Sequence, residues 1–358
     1  MSGNVSIWKT LGQDKTVDWL QRALANGGLS HAYLLVGPPQ VGKMTLAIDL
    51  AMTLNCQAEP ALRPCGKCPA CLKIAAGKHA DIQLIALNQD PDDEEKDRKL
   101  IGIGQINTAL HSANLPPFEG AFRVYIIDEA ENLSLDAANR LLKTLEEPPQ
   151  KVIFILLTGN IRLIPATIVS RCQRLNLGKM KTAAIEDVLR ERGQIDNEKA
   201  RLLSRLSHGC PGWALTVSTN PAILETRQEA FSKMQALTAG GYCERFAAVS
   251  QLALQFNKKR ESVYELLETW AGWWRDILLV KTGCNSDIVS LDYLAALSAM
   301  AGTLTLGEIV FALKSLTQAV QQLRLNANPR LVLEALMLNL PKTGLRPAGS
   351  QPVEVKNA

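Results

Sequence analysis

The apolar run Ala32-Tyr33-Leu34-Leu35-Val36 leads straight into Gly37-Pro38-Pro39-Gln40-Val41-Gly42-Lys43-Met44-Thr45, after which the apolar period becomes helical, with Leu46, Ala47, Leu50, Ala51 and Leu54 on one face. A buried strand, a glycine loop, a lysine and a helix in that order are what a phosphate-binding P-loop requires. Few folds accept it, because the strand must be covered on both faces and the loop must open at its carboxyl end. In a complete loop, backbone N–H groups wrap the phosphates, the lysine reaches the outer phosphates, and a final Ser or Thr hydroxyl holds Mg²⁺. Here that final position is Met44, a poor ligand for a hard cation. Thr45 comes one residue late, which turns its side chain about 100° around the helix. Gly37, Gly42, Lys43 and Thr45 are therefore candidate contacts of a weak or vestigial ATP/Mg²⁺ site. Taken alone, the nine residues also fit a plain turn between a core strand and a core helix.

The segments between residues 123 and 177 favour the P-loop. Arg123-Val124-Tyr125-Ile126-Ile127 reads as a second strand and ends in Asp128-Glu129, where a Walker B carboxylate would approach a metal. Leu133 to Glu147 reads as a helix with Ser134 as N-cap, Leu135, Ala138, Leu141, Leu142 and Leu145 as its buried stripe, and Pro148-Pro149 as its stop. A third strand, Val152 to Leu157, delivers Thr158 and Asn160 to the same edge, and a fourth lies around Arg174-Leu175-Asn176-Leu177. Strands alternating with helices, with polar residues gathered at strand ends, predict a doubly wound parallel α/β domain.

Cys56, Cys65, Cys68 and Cys71 form a C-x8-C-x2-C-x2-C cluster after the P-loop helix. Two-residue gaps let neighbouring thiolates face one tetrahedral ion, so structural zinc is expected, and four sulfur ligands leave no open position for catalysis. Free thiols or disulfides are the competing reading, and disulfides are rare in a reducing cytosol. Cys172, Cys210, Cys243 and Cys284 are scattered and are expected to be buried or incidental.

The chain resembles the bacterial replicative clamp loader of the DNA polymerase III holoenzyme, a branch of the AAA+ ATPases, from about Leu11-Gly12-Gln13 to about Leu340. The residues that carry the resemblance are His31-Ala32-Tyr33-Leu34, the cysteine cluster, Pro117-Phe118-Glu119-Gly120, Leu141 through Pro149, and Ser170-Arg171-Cys172. It implies an AAA+ P-loop domain, a small helical lid and an all-α collar joining the subunits of a five-membered assembly. It also implies that Arg171 serves as an arginine finger for a neighbouring subunit. The lid helix of active relatives carries a sensor arginine, and the matching residue here is Trp213, whose single neutral donor cannot replace that charge.

The expected domains are residues 1–177 for the P-loop domain with the zinc module at 56–71 inserted, 178–219 for the lid, 220–340 for the collar, and 341–358 for a flexible tail. Tyr264 to Val280 is the richest collar helix, and Leu267, Trp270, Trp273, Trp274, Ile277 and Leu278 read as core rather than as a base-stacking platform, because few basic residues interleave. Leu304–Leu325 and Pro329–Leu340 complete the bundle. The acidic run 90–97 reads as a solvated loop. With 358 residues the chain has ample core for two or three domains. No apolar run reaches membrane-spanning length and no signal-like N-terminus is present, so a soluble cytoplasmic protein is expected. A net charge of +4, from 39 basic and 35 acidic residues, argues against a strong autonomous DNA binder.

These features leave three functional classes. The chain is a clamp-loader subunit with little or no hydrolysis of its own that completes a neighbour's site, or an ATP-hydrolysing gamma/tau-like motor subunit of the same loader, or an independent zinc-dependent nucleic-acid-binding protein. The first is favoured, because Met44 and Trp213 mark two lost hydrolytic parts while Ser170-Arg171-Cys172 is intact. The resemblance gives as partners gamma/tau-like and delta-like subunits, the sliding clamp and primer-template DNA.

Overall fold

A computed structural model describes residues 8–87, 100–193, 195–220 and 222–343. The acidic run 90–97 and the tail from residue 344 onward lie outside the described residues. Two compact units emerge, one comprising Met1–Arg192 with Ser207–Leu215 and the other Gly193–Leu206 with Thr216–Ala358.

In the first unit, β1 (Ala32–Val36), β2 (Ile82–Ile85), β3 (Arg123–Ile127), β4 (Val152–Thr158) and β5 (Gln173–Asn176) form one sheet in the order β2-β3-β4-β1-β5, with every neighbouring pair parallel. The expected parallel α/β architecture is present. β2 has no counterpart among the strands expected from the sequence, for it is a short edge strand with a mostly half-exposed pattern.

Because successive strand residues face opposite sides, the sheet sorts its apolar residues into two cores. Tyr33, Leu35, Val124, Ile126, Ile153 and Ile155 pack on one face with α1 (Asp14–Ala25), α2 (Lys43–Asn55) and α3 (Pro69–Ala75). Leu34, Tyr125, Ile127, Phe154 and Leu156 pack on the other with α4 (Ile103–Ala113), α5 (Leu135–Glu146) and α6 (Ala166–Val169). The α2 stripe is buried as expected, and Ser134 caps α5 by accepting the Ala137 N–H at 3.2 Å. Leu135 departs from its expected place in the stripe: it is the first residue of α5 and lies 73% exposed, while Ala137 takes the inward position.

The stretch expected as a lid folds into α7 (Thr182–Gly193), α8 (Asn197–Leu206) and α9 (Pro211–Thr219). α10 (Ala222–Ala239), α11 (Tyr242–Lys258), α12 (Arg260–Thr282), α13 (Leu294–Thr303), α14 (Leu306–Arg324) and α15 (Pro329–Asn339) make the helical bundle of the second unit. Trp270, Trp273 and Trp274 of α12 are fully buried, which establishes them as core. Trp270 Nε1 donates to Ala230 O at 2.8 Å, and Trp273 stacks obliquely on Phe231 at 4.6 Å.

The least expected feature of the bundle is Arg245. It is fully buried and donates to Leu237 O at 2.8 Å, Met337 O at 2.9 Å, Leu340 O at 2.6 Å and Pro341 O at 2.9 Å. Those carbonyls lie at or just past the ends of α10 and α15, where helix carbonyls lack intrahelical partners and the dipole favours a cation. One guanidinium with five donors serves both ends. Arg245→Met retains much of the volume but strips three buried acceptors and one half-buried acceptor of their donor, so the second unit should lose about 3–5 kcal/mol. Denaturant unfolding followed by tryptophan fluorescence measures this; a change under about 0.5 kcal/mol, typical of a neutral surface substitution, would contradict it.

Candidate functional site

The loop Gly37–Gly42 leaves the carboxyl end of β1 and enters α2 through Gly42, whose φ of +108° favours a residue without a Cβ. Gly37 is needed for a different reason: a Cβ there would lie 2.8 Å from Leu177 O. Lys43 Nζ donates to Gly37 O at 2.7 Å and Pro38 O at 2.9 Å, so the lysine is folded onto its own loop. Burial lowers the Lys43 pKa, and the carboxylates Glu131, Asp128 and Glu129 oppose that fall. Met44 is half-buried and packs against the apolar cluster around α2. α9 meets the loop directly, with Gly212 N donating to Gln40 O at 3.0 Å, and Trp213 is the next residue on that turn.

The remaining sequence candidates gather at the same edge. Asp128 and Glu129 follow β3, and Asp128 Oδ1 accepts the Glu129 N–H at 3.0 Å. Glu129 is exposed, in a left-handed conformation, and accepts from Asn132 Nδ2 at 3.0 Å. Thr158 is fully buried opposite Val36; its carbonyl accepts the Gly37 N–H at 3.1 Å and its Oγ1 the Asn160 N–H at 3.0 Å. Asn160 uses its own Oδ1 on Arg162 N at 3.1 Å.

Two further residues at this edge are not among the sequence candidates. Glu131 accepts the Gly159 N–H at 3.0 Å and heads the charges acting on Lys43. Its only sequence signal is its place three residues after Asp128 at a strand end. Cys210, expected to be buried or incidental, is buried and close enough to Lys43 and Lys179 for their charges to oppose the rise that burial imposes on its thiol.

Arg171 is elsewhere. β5 runs parallel to β1 with Tyr33 opposite Gln173 and Val36 opposite Asn176, so Arg171 precedes β5 at the amino end of the sheet. Roughly 15 Å of strand, at about 3.3 Å per residue, separates it from the level of the P-loop. Its Nη2 pairs with Glu146 Oε1 at 2.5 Å, and its Nη1 donates to Thr167 O at 3.1 Å. Its side chain is 35% exposed.

The four cysteine sulfurs lie within 4.8 Å of one another. A tetrahedral zinc with Zn–S bonds of about 2.3 Å needs sulfurs about 3.8 Å apart, and Cys56 Sγ and Cys68 Sγ are 4.0 Å apart. Backbone N–H groups support the sulfurs as metal-thiolate turns require: Cys65 N reaches Cys56 Sγ and Cys68 N reaches Cys65 Sγ, both at 3.3 Å. The Lys67 N–H chiefly lowers the Cys65 thiol, to about 6, whereas burial raises Cys56 and Cys71. The donor set fits one metal ion. Two of the basic residues around it have partners inside the unit, Arg63 Nε on Ala58 O at 2.7 Å and Lys73 on Glu119 at 2.5 Å.

Lys73 and Glu119 link the module to the loop Pro117-Phe118-Glu119-Gly120, which a buried carboxylate holds. Asp81 accepts the N–H groups of Phe118 at 2.7 Å and of Glu119 and Gly120 at 2.8 Å, and pairs with Arg123 Nη2 at 3.1 Å. Arg123 also donates to Ser112 O and, at 3.0 Å, to Pro116 O. Phe118 is left 83% exposed at the tip.

The family model described as DNA polymerase III, delta subunit, matches residues 12–181, and the one described as DNA polymerase III, delta subunit, C terminal, matches residues 233–342. The chain belongs to the clamp-loader family of DNA polymerase III. The P-loop, the four cysteines and Arg171 all fall within the first match. Among clamp-loader relatives, the chain is 28% identical to DNA polymerase III subunit tau of Bacillus subtilis over 96% of this chain and 62% of that one. It is 27% identical to subunit delta' of the same organism over 93% of this chain and 98% of that one. It is 34% identical to subunit tau of Escherichia coli over 58% of this chain, which is 32% of that protein. A solved DNA polymerase III gamma subunit-related protein of Thermotoga maritima aligns over 90% of this chain and 97% of that one, at 17% identity and a TM-score of 0.43. Among the described residues, no single helix is long and apolar enough to cross a membrane.

Burial raises the pKa of Asp81, but the Phe118, Glu119 and Gly120 N–H groups and Arg123 outweigh it, so the carboxyl sits below its ordinary value of 3.8. A depressed carboxyl gives stability that is present above the unfolded value and is lost as pH falls through the folded one. Asp81→Asn should therefore cost about 3–5 kcal/mol at neutral pH, as for a broken buried pair. The difference from wild type should shrink below about pH 4, in denaturant titrations at pH 7 and pH 3. A variant equally destabilised at both values would show that the Asp81 charge does not hold the loop.

Proposed function

We propose that the chain is a delta-prime-like clamp-loader subunit, weak or inactive as an ATPase, that helps load the sliding clamp onto primed DNA by presenting Arg171 to a nucleotide held by a neighbouring subunit. The position of Arg171 carries this reading. A guanidinium at the amino end of the sheet cannot serve its own P-loop at the carboxyl end, and its side chain, 35% exposed, is held at the surface by Glu146 and Thr167. A transferring phosphoryl group, where charge is spread over oxygens, is the partner such a guanidinium best stabilises. Met44, packed with the apolar core, cannot hold Mg²⁺ at the loop, and Trp213 on the α9 turn has no charge to offer. The match to delta' over nearly the full length of both chains supports the assignment. Gamma/tau-like and delta-like subunits, the clamp and primer-template DNA are the partners, in the cytoplasm, and the bundle of α10–α15 serves as the collar of a heteropentamer.

One observation favours a second reading. Identity to tau is as high as to delta' and runs over 96% of the chain, as a gamma/tau-like motor subunit would require. The two readings rank two substitutions oppositely. On the delta-prime reading the isolated chain hydrolyses ATP at background, and in the reconstituted complex Arg171→Ala lowers DNA-stimulated hydrolysis at least about tenfold, a modest share of the roughly 10³–10⁵ that fingers supplied in trans contribute. Lys43→Ala in this subunit then matters far less. A silent Arg171→Ala beside a disabling Lys43→Ala would establish the motor reading.

Cys56, Cys65, Cys68 and Cys71 are proposed to hold one structural zinc ion, which would tie the segment after α2 to α3. Elemental analysis of protein purified without chelators should find about one zinc per chain, as one four-ligand site requires. Cys68→Ser should release it and make the 56–75 segment sensitive to protease, with the α10–α15 bundle still folded. Four freely titrating thiols and no metal would refute the site.

A further inference from the structure

Lys43 is engaged by its own chain in a way that a missing metal ligand does not explain. Its ammonium has three donors, and two are spent on Gly37 O and Pro38 O. Across the sheet edge stands Glu131, in the turn after β3. Its Oε1 accepts the N–H of Gly159, the residue after β4. β4 pairs with β1 so that Thr158 lies opposite Val36, and Thr158 O accepts the N–H of Gly37. Glu131 is therefore pinned one residue from the strand end that receives the first glycine of the loop.

Its other oxygen, Oε2, is buried and has no hydrogen-bond partner. A buried carboxylate oxygen left unpaired is costly unless positive charge acts on it; Lys43 makes no direct ion pair with Glu131 among the described residues, and its charge acts on that carboxylate across the loop. Of the carboxylates acting on Lys43, Glu131 has the largest effect, ahead of Asp128 and Glu129. The Walker-B-like pair is occupied otherwise: Glu129 is exposed and bonded to Asn132, and Asp128 caps the Glu129 N–H.

We infer that Glu131 is the determinant that keeps phosphate out of this loop, its fixed carboxylate supplying beside Lys43 the negative charge that a nucleotide phosphate would bring. The inference rests on reading Gly37–Lys43 as a weakened nucleotide seat, and it names the residue responsible for weak binding, as Met44 is for weak hydrolysis. A phosphate entering the loop would meet a like charge in a half-buried setting, where repulsion is screened less than in water. Nothing in the fold requires the acid: Gly159 is exposed, so its N–H finds water when the carboxylate is gone.

Equilibrium dialysis of labelled ATP with Mg²⁺ against the full chain tests this, with unlabelled pyrophosphate as competitor. Glu131→Gln, which keeps the acceptor for Gly159, should bind ATP about tenfold more tightly than wild type, and the gain should vanish in the Glu131→Gln, Lys43→Ala double variant. Glu131→Ala removes the same charge and gives a second readout should the glutamine variant fail to fold. Equal or weaker binding by the neutral variants, a gain that survives loss of Lys43, or no detectable binding by any of them would overturn the inference. Robust turnover by the wild-type chain would instead overturn the weakened-seat reading. Unchanged affinity with no turnover anywhere would overturn the role of Glu131 alone.

Discussion

Parallel pairing of β5 with β1 decides what this chain can do with a phosphate. Because the two strands run in the same direction, the loop after β1 and the turn before β5 lie at opposite ends of the sheet. The Gly37–Lys43 loop and Arg171 therefore cannot act on one bound nucleotide within one chain. Any use of Arg171 on a nucleotide must bring that nucleotide in on another molecule. The loss of the hydroxyl at Met44 and the intact Ser170-Arg171-Cys172 motif then do not conflict, since they lie at opposite ends of the sheet.

Holding these ends in place falls to a few buried charges rather than to the apolar core alone. Asp81 gathers three backbone N–H groups and Arg123 to fix the loop that carries Phe118. Asp49, fully buried on α2, accepts both the N–H and the hydroxyl of Thr10 and so binds the N-terminal segment to the P-loop helix. Arg245 does the reverse in the bundle, one cation meeting four carbonyls. For Asp81 and Arg245 a charge is matched to several fixed dipoles, which is how a buried ion offsets its desolvation cost, whereas burial outweighs the Thr10 contacts of Asp49 and raises its pKa. The Arg171–Glu146 pair is of another kind: it is exposed, and exposed ion pairs contribute about 0–1 kcal/mol, so Arg171 is free to exchange its carboxylate for a better anion.

Much of this was legible in the sequence where a residue's role is set by its neighbours along the chain. The strands β1, β3 and β4 are unbroken apolar runs because both of their faces are covered, and the α2 stripe arises from helical period. Ser134 caps α5 as its position before the apolar stripe predicts, and the cysteine spacing brings the four sulfurs together. What escaped depends on contacts between distant segments. β2 has an edge pattern too short and too polar to stand out, Leu135 turned outward at the first position of α5, and Asp81, Glu131 and Arg245 look like ordinary surface charges until the fold brings their partners to them. Glu146 belonged to a recognised motif, but its pairing with Arg171 spans 25 residues and has no local signature.

The most direct measurement is a structure of the assembled clamp loader trapped with a non-hydrolysable ATP analogue. The expected result places the Arg171 guanidinium within hydrogen-bonding distance of the γ-phosphate held by the neighbouring subunit, released from Glu146, with no nucleotide in the Gly37–Lys43 loop. A nucleotide seated in that loop with Lys43 on its phosphates, and Arg171 still paired with Glu146, would contradict it.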